Sequence, residues 1–443
     1  MKKYISFILA SLILFQINIV YAVDAPTVVE DSQPIELPTE TPIEEVLTEE
    51  ELEKIREEER RLAFEKAVEE NMHLNYGQLS TSYLLGDFKT GEILEEKDID
   101  SLRAIASTSK ILTVYVVLDE AKKGNISLDD KVTIDRETAL IGGSSYELKE
   151  GEIHTVKDLI KAALVVSGND SVFALSKFIS GSETEFVKLM GKKLDELGIV
   201  DYELVNSSGL PNYTINKQNM MSTRGLFQLT RNILMEYPEI LEITSTPEIV
   251  EEQREFKEKN TNPILGVVPE IDGLKTGYTG LAGRCMVATG MKLGDGIENS
   301  DMRLIGITMG SESDAKRYVA IKKLMERGFE IYENKIVGDV LKPIETFHYE
   351  YLEPNDIMVY PKDTSEVIKL KDEKITSKYE IGDITKGIRA EDPVGKIHYF
   401  VNGEEVYSTD LVVLEDVVES SLVRKLQILY RNMFIAANKI FNT

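Results

Sequence analysis

The sequence predicts an α+β fold with a buried central helix, followed by a small all-β domain and a C-terminal amphipathic helix. The helix that begins near Ala106 is apolar nearly all round, which is typical of a helix inside a core. Strand-like and helix-like segments alternate on either side of it. From about Val337 short alternating strands take over, and Asn402-Gly403 between two of them is a strong hairpin signal.

The elements of the α+β body are predicted from periodicity and turn residues. Strands are expected over residues 80–87 and 92–95, separated by the turn Lys89-Thr90-Gly91. Thr155 and Asp158 form a capping-box pattern that starts a helix. Helices are expected over 106–123, 155–166, 169–180, 182–197 and 315–334, and further strands over 277–291 and 302–309.

The N-terminus is typical of an export signal. Lys2 and Lys3 precede an apolar run over residues 5–20, and Val20-Tyr21-Ala22 offers small residues for signal peptidase. A membrane-spanning anchor is the alternative, but the run is short and is broken by Gln16 and Asn18. Either interpretation places the bulk of the chain outside the cytoplasm.

The predicted domain organisation follows from these shifts in composition. We expect a signal peptide over 1–22, an acidic leader over 23–75, partly disordered and partly helical, and a catalytic domain over 76–340. A small β domain is expected over 341–412, and an amphipathic helix that anchors the protein to a membrane over 413–443. The net charge of −26 argues against nucleic acid as a partner, because phosphates repel carboxylates.

Cysteine and histidine usage excludes several kinds of chemistry. Cys285 is the single cysteine of the chain, so an intramolecular disulfide is impossible. The four histidines are scattered, and no closely spaced pair offers zinc ligands. We therefore expect no metal and no cofactor, and a Ser-His-Asp triad is improbable.

Three short motifs occur in order: Ser107-Thr108-Ser109-Lys110, Ser167-Gly168-Asn169 and Lys275-Thr276-Gly277. Each is weak alone, since Ser313-Asp314-Ala315-Lys316 repeats the first pattern and Lys89-Thr90-Gly91 the third. The two repeats lack suitable context, because one has no second motif after it and the other lies in a hairpin turn. The ordered set on suitable elements is therefore a strong signal.

The first motif suits nucleophilic catalysis. Ser107 and Lys110 are three residues apart on one helix, so their side chains share a face. A serine hydroxyl needs a base, and a lysine can serve only if burial and a nearby positive charge lower its pKa. Lys275 can supply that charge. The alternative for Ser107 alone is an ordinary helix N-cap.

The other two motifs suit proton transfer and substrate binding. Ser167 can relay a proton to a leaving amine, and the amide of Asn169 can bind a peptide or Lys110. On a strand edge Lys275 and Thr276 can hold a terminal carboxylate, while Gly277 leaves room for a peptide to approach. The alternatives are a plain helix–helix turn and a strand-entry turn.

This ordered set resembles that of penicillin-binding proteins and serine β-lactamases. The finer resemblance is to the low-molecular-weight serine D-alanyl-D-alanine carboxypeptidases, over residues about 76–340, then the β domain and the terminal helix. It rests on Arg103-Ala104-Ile105-Ala106-Ser107-Thr108-Ser109-Lys110, which resembles R-x-x-A-S-T-T-K, and on Gly143-Ser144-Ser145, Leu148, Gly151-Glu152, Ser167-Gly168-Asn169-Asp170, Lys275-Thr276-Gly277-Tyr278-Thr279 and Ala282-Gly283.

The resemblance implies a penicillin-binding-protein/β-lactamase-like transpeptidase fold and an activity. The enzyme would remove the terminal D-alanine of peptidoglycan pentapeptide stems and would be acylated by β-lactam antibiotics. The implied roles are nucleophile for Ser107, base for Lys110, proton network for Ser167 and Asn169, substrate binding for Lys275 and Thr276, oxyanion N–H groups from Ser107 and Tyr278, and carboxylate binding for Arg317.

Departures from the family pattern leave two alternatives. The family's N-P-H-G-L is Asn206-Ser207-Ser208-Gly209-Leu210 here, in a loop expected near the cleft, which puts substrate detail in doubt. A class A-like β-lactamase would need an E-x-x-L-N glutamate, and Glu203 is one residue out of register for it. A catalytically idle wall-binding scaffold would not need all the key residues that are present.

The C-terminal segment over 421–441 predicts an amphipathic helix on the membrane surface. Leu422, Leu426, Leu429, Met433, Ala437 and Ile440 form one stripe, and the charged side chains of the segment are all basic. Such a helix fits the headgroup plane at the outer face of the cytoplasmic membrane. The alternative is a helix packed on the body of the protein or on another subunit.

Overall fold

The computed structural model describes residues 48–385 and 387–441. The predicted signal peptide, and the leader as far as residue 47, lie outside the described residues. The chain divides into two compact units, Met1–Glu57 and Glu58–Thr443. In the first unit the described residues are 48–57, where Thr48 and Glu51 exchange capping hydrogen bonds at the start of a helix. That helix, α1 (Glu49–Asn71), has no fully buried residue, although Phe64 packs edge-on against Tyr318.

The body after α1 alternates helices and strands, as the sequence predicts. Its helices are α2 (Tyr76–Leu79), α3 (Lys110–Lys122), α4 (Arg136–Ala139), α5 (Val156–Val165), α6 (Asn169–Ser180), α7 (Glu183–Glu196), α8 (Thr223–Glu236), α9 (Ile240–Thr244) and α10 (Asp314–Ile331). Its strands are β1 (Ser82–Asp87), β2 (Ile93–Lys97), β3 (Arg103–Ala104), β4 (Lys131–Thr133), β5 (Ile153–Thr155), β6 (Tyr202–Glu203), β7 (Met220–Met221), β8 (Glu248–Glu251), β9 (Phe256–Lys259), β10 (Ile271–Thr279), β11 (Gly283–Lys292) and β12 (Met302–Ser311).

A five-stranded antiparallel sheet in the order β10-β11-β12-β1-β2 separates two helical layers. Successive side chains on a strand point to opposite faces. Leu84 accordingly belongs to the core around α3, and Leu85 to the core under α10. The first core buries α3 without a break from Lys110 to Asp119, so the predicted buried central helix is confirmed. Strand β10 lies at an open edge of the sheet.

One predicted strand, over 277–291, is wrong as a single element. The chain completes β10, turns over residues 280–282 and returns as β11. The apolar Leu281 and Ala282 conceal this turn in the hydrophobic pattern. Gly283 adopts φ 67°, a conformation that glycine reaches without steric cost.

The C-terminal part is a separate all-β core, as the sequence predicts. Its strands are β13 (Tyr332–Val337), β14 (Glu345–His348), β15 (Leu352–Glu353), β16 (Asp356–Pro361), β17 (Ser365–Leu370), β18 (Ile375–Ile381), β19 (Pro393–Val401), β20 (Glu404–Val412) and β21 (Val418–Glu419). Asn402 and Gly403, both at positive φ, form the predicted hairpin turn between β19 and β20. β-structure extends past residue 412, because β21 pairs with β15.

The last helix, α11 (Leu422–Phe441), contacts the β domain through a few side chains. Ile428 is buried, and Glu350 accepts hydrogen bonds from Arg431 at 3.2 Å and from Asn432 at 2.7 Å. The predicted apolar stripe remains largely exposed, with Leu422 74% and Met433 63% accessible. Over residues 48–385 and 387–441, no helix is long and apolar enough to cross a membrane.

Candidate active site

Ser107 lies in a 3-10 turn, Ala106–Ser109, that leads from β3 into α3. Two side chains fix this turn: the Thr108 hydroxyl donates to Ile105 O at 2.6 Å, and the Ser109 hydroxyl to Ala106 O at 2.7 Å. The chain closes on it so tightly that a Cβ on Gly209 would lie 1.9 Å from Ala106 O. The nucleophile candidate is therefore held by local hydrogen bonds and by a close glycine contact.

Lys110 lies one turn after Ser107 and is fully buried. Its Nζ donates to Ser107 Oγ at 2.8 Å, Asn169 Oδ1 at 2.7 Å and Ser208 O at 3.2 Å. Burial lowers the pKa of Lys110 well below its usual value, and the charge of Lys275 lowers it further. A neutral amine here can donate to Asn169 and Ser208, and its lone pair can accept the Ser107 proton.

The second motif lies in the break between α5 and α6. Ser167 is buried at φ 64°, and Asn169 begins α6. Asn169 also holds a neighbouring loop, because its backbone N–H donates to Ser144 O at 2.8 Å and its Nδ2 to Gly142 O at 2.9 Å. The structure thus brings Asn169 to Lys110 and places a loop over residues 142–148 beside both.

The third motif lies on the edge strand β10. A Cβ on Gly277 would lie 3.0 Å from the backbone nitrogen of Ser107, so a larger residue here would push the strand away from the Ser107 turn. Lys275 is buried, and burial together with the charge of Arg317 lowers its pKa to about 7. Thr276 is buried as well, whereas Tyr278 is exposed at the far end of the strand.

Arg317 lies in the first turn of α10, with its side chain only 11% exposed. It pairs with Asp314 at 2.8 Å, and Arg284 shares that carboxylate at 3.0 Å while stacking over the Tyr278 ring at 3.4 Å. Among the described residues, the buried Nε of Arg317 has no hydrogen-bond partner. Arg317 therefore adds positive charge to the Lys275 side of the cleft.

The remaining motif-like segments lie elsewhere. In the β1–β2 turn, the Thr90 hydroxyl donates to Asp87 at 2.8 Å, and Ser313 caps α10 by accepting from Lys316 N at 3.2 Å. Glu203, which a β-lactamase mechanism would need, is on β6 and pairs with Lys217 at 3.9 Å. In residues 48–385 and 387–441 no three His, Cys, Asp or Glu side chains cluster as metal ligands.

Two features of the site were given no role in the sequence analysis, although both residues lie in segments compared there with the family pattern. The carbonyl of Ser208 reaches Lys110 from a segment 98 residues later in the chain. Asp170, next to Asn169, is buried and accepts hydrogen bonds from the loop over 142–148. Its only signal in the sequence is its position directly after the second motif. Cys285 is buried, which raises the pKa of its thiol to about 11 and leaves it unreactive.

Comparisons with known proteins identify the family of the chain. Residues 70–313 match the family described as D-alanyl-D-alanine carboxypeptidase, and residues 338–419 match the C-terminal domain of penicillin-binding protein 5. The chain is 34% identical over 257 residues to the D-alanyl-D-alanine carboxypeptidase DacF of Bacillus subtilis, covering 57% of this chain and 62% of that relative, which is less than two thirds of its length. It is 29% identical to DacA of Haemophilus influenzae, covering 78% and 87% of the two chains.

Solved structures are similar over the same regions. Penicillin-binding protein 5 from Haemophilus influenzae superposes with a TM-score of 0.59 at 28% identity, covering 77% of this chain and 98% of that one. Penicillin-binding protein D2 from Listeria monocytogenes, in its cefotaxime-bound form, gives 0.50 at 31% identity, covering 56% and 97%. The predicted fold and family resemblance are confirmed, and the chain belongs to the serine D-alanyl-D-alanine carboxypeptidase family of low-molecular-weight penicillin-binding proteins.

Proposed function

We propose that this serine D-alanyl-D-alanine carboxypeptidase releases the terminal D-alanine of peptidoglycan stem pentapeptides through an acyl-enzyme on Ser107. The observation that carries the proposal is the buried Lys110 Nζ, 2.8 Å from Ser107 Oγ, with its pKa well below the usual lysine value. Burial favours the neutral form of this lysine, and a neutral lysine aimed at a serine hydroxyl can act as a general base.

Acyl transfer and hydrolysis can both proceed through Ser107, Lys110 and Ser167 with one water molecule. Ser107 Oγ attacks the carbonyl carbon of the penultimate D-alanine while its proton moves to Lys110. The carbonyl oxygen becomes an oxyanion, which the backbone N–H groups of Ser107 and Tyr278 stabilise. The peptide C–N bond then breaks, and the proton passes from Lys110 through Ser167 to the departing amine. A water molecule then attacks the ester carbonyl while Lys110 takes its proton. The bond between the acyl carbon and Ser107 Oγ breaks, the shortened peptide leaves as a carboxylic acid, and Lys110 returns the proton to Ser107 Oγ.

Substrate binding follows from the open edge of β10. An extended peptide can pair with this edge beside Gly277. Its terminal carboxylate would be held by Lys275 and Thr276, and Arg317 would add positive charge on the Lys275 side of the cleft. A β-lactam presents a strained amide to the same nucleophile, and the Listeria protein D2 has been solved with cefotaxime and with ampicillin bound. We therefore expect β-lactam antibiotics to acylate Ser107.

The test combines mass spectrometry after benzylpenicillin with an assay of D-alanine release from a pentapeptide. The wild type should gain the mass of one opened penicillin on the peptide containing Ser107 and should release D-alanine. Ser107→Ala should lose both activities, and Ser313→Ala, which removes only a helix cap, should keep both. Labelling that survives in Ser107→Ala would refute the assignment.

We further propose that the enzyme is exported and works at the outer face of the cytoplasmic membrane, with α11 lying in the headgroup region. The support is the basic segment over residues 1–22 with its apolar run, and the exposed apolar stripe of α11. N-terminal sequencing of the mature protein tests export: it should begin at Val23, and a chain still beginning at Met1 would contradict a cleaved signal.

A further inference from the structure

Asp170 is a buried carboxylate that the reaction above does not use. It accepts hydrogen bonds from the Ser145 hydroxyl at 2.6 Å, from Tyr146 N at 3.0 Å and from Leu148 N at 3.2 Å. Ser171 N, in the first turn of α6, donates at 2.8 Å. Both oxygens are therefore occupied, mostly by one loop rather than by the helix that carries the carboxylate.

Asn169 binds the same loop from the adjacent position. Its backbone N–H and its Nδ2 donate to Ser144 O and Gly142 O, while its Oδ1 accepts from Lys110 Nζ at 2.7 Å. Asn169 thus joins the loop over 142–148 to the catalytic lysine by hydrogen bonds, and Asp170, the next residue, binds the same loop. If the loop moves, Asn169 loses two of its three anchors, and the hydrogen bond that aims Lys110 weakens.

Asp170 also affects Lys110 by its charge. Burial and Lys275 lower the pKa of Lys110, and Asp170 opposes them by raising it. The charged groups that face Lys110 are therefore Lys275 from β10 and Asp170 from α6; its other neighbours, Ser107, Asn169 and the Ser208 carbonyl, are neutral. Arg317 acts on Lys110 only indirectly, because its charge lowers the pKa of Lys275.

We infer that Asp170 is a positioning residue for acyl transfer: it fixes the loop over 142–148 against Asn169, and its negative charge balances Lys275 at the catalytic lysine. The inference rests on the proposed function, in which Lys110 is the base. A buried structural carboxylate with no tie to catalysis would stabilise the fold without affecting the protonation of Lys110.

The test is Asp170→Asn, measured as the rate of acylation by benzylpenicillin against pH. We expect the maximal rate to fall roughly tenfold, because the amide turns a donor towards backbone N–H groups and loosens the loop. We also expect the acid limb of the profile to move to lower pH. Removing a negative charge lowers the pKa of Lys110 further, so the neutral amine persists to lower pH.

Two variants separate positioning from stability. Asp170→Glu keeps the charge, so its acid limb should stay in place while its rate falls. Asp119→Asn removes a buried carboxylate that pairs with Lys193 at 2.9 Å, nine residues along α3 from Lys110 and so about 13 Å away. It should lower the melting temperature and leave the acid limb unmoved.

The outcomes decide between the two roles. An unmoved acid limb in Asp170→Asn, or an undiminished rate in the folded protein, overturns the inference. If Asp170→Asn folds poorly, the amount of bound penicillin still measures its folded fraction. The inference then also requires that Asp170→Glu shows a lower rate with an unmoved acid limb. Failure of the wild type to be acylated at Ser107 would instead refute the proposed function.

Discussion

The exposed stripe on α11 leads to a quantitative prediction for membrane binding. Leu422, Leu426, Leu429, Met433 and Ile440 are each between 49% and 74% exposed. Removing the exposed part of such a side chain from water contributes about 1 kcal/mol, so the stripe contributes about 5 kcal/mol. We expect a mature chain that ends at Ser420 to bind anionic vesicles roughly three to four orders of magnitude more weakly than the full chain. The end point retains β21, which pairs with β15.

A matched pair of substitutions tests the face of the helix rather than its presence. Met433→Glu places a charge in the stripe, and Asn438→Glu places the same charge on the polar side of the same helix. Repulsion by anionic lipid is common to both, but only Met433→Glu loses apolar burial. We expect its vesicle affinity to be roughly fivefold below that of Asn438→Glu, because about 1 kcal/mol of apolar burial is lost.

The assay is co-sedimentation with vesicles that contain anionic lipid, measured at low and high salt. Electrostatic attraction of the basic side chains fades with salt, whereas the difference between the two variants should persist because it comes from burial. D-alanine release by the truncated chain should equal that of the full chain. Equal sedimentation of the full and truncated proteins, or equal affinity of the two variants, would refute the surface-helix proposal.

Three further predictions concern the cleft. Ser107→Ala should abolish D-alanine release with an unchanged melting temperature, since the hydroxyl contributes little to packing; an active Ser107→Ala would contradict the nucleophile assignment. Lys275, with its pKa near 7, should lose its charge as the pH rises through about 7. The KM of a pentapeptide with a free carboxylate should therefore rise with pH over that range while that of its C-terminal amide stays flat, and parallel profiles would argue against carboxylate binding. EDTA should leave D-alanine release unchanged, and inhibition that zinc restores would contradict a metal-free mechanism.

The sequence predicted features whose physical cause is local. The burial of α3 follows from its continuous apolar surface, and the β19–β20 hairpin from Asn402-Gly403, since both are properties of a few adjacent residues. The pairing of Ser107 with Lys110 on one helix face follows from helical spacing. The fold class and the family resemblance rest on such segments, which explains why they were predictable.

Features that depend on distant segments could not be predicted in this way. The Ser208 carbonyl reaches Lys110 only because Gly209 packs against Ala106, and no periodicity encodes that contact. The sequence marks Asp170 only by its place after Asn169 in the family-like segment, because its hydrogen bonds to the loop over 142–148 form only when that distant loop folds onto it. The turn between β10 and β11 was missed because Leu281 and Ala282 continue the apolar pattern of the strands.

The two buried lysines show how one physical effect can support two roles. Burial lowers the pKa of both. Lys110 faces the Ser107 hydroxyl and two acceptor oxygens, those of Asn169 and Ser208, whereas Lys275 donates to Thr276 O and the charge of Arg317 lowers its pKa further. A substrate carboxylate beside Lys275 would favour its charged form. That charge in turn holds the pKa of Lys110 down, so substrate binding keeps the base neutral. Both lysines therefore act as one electrostatic unit, with Asp170 as the opposing charge.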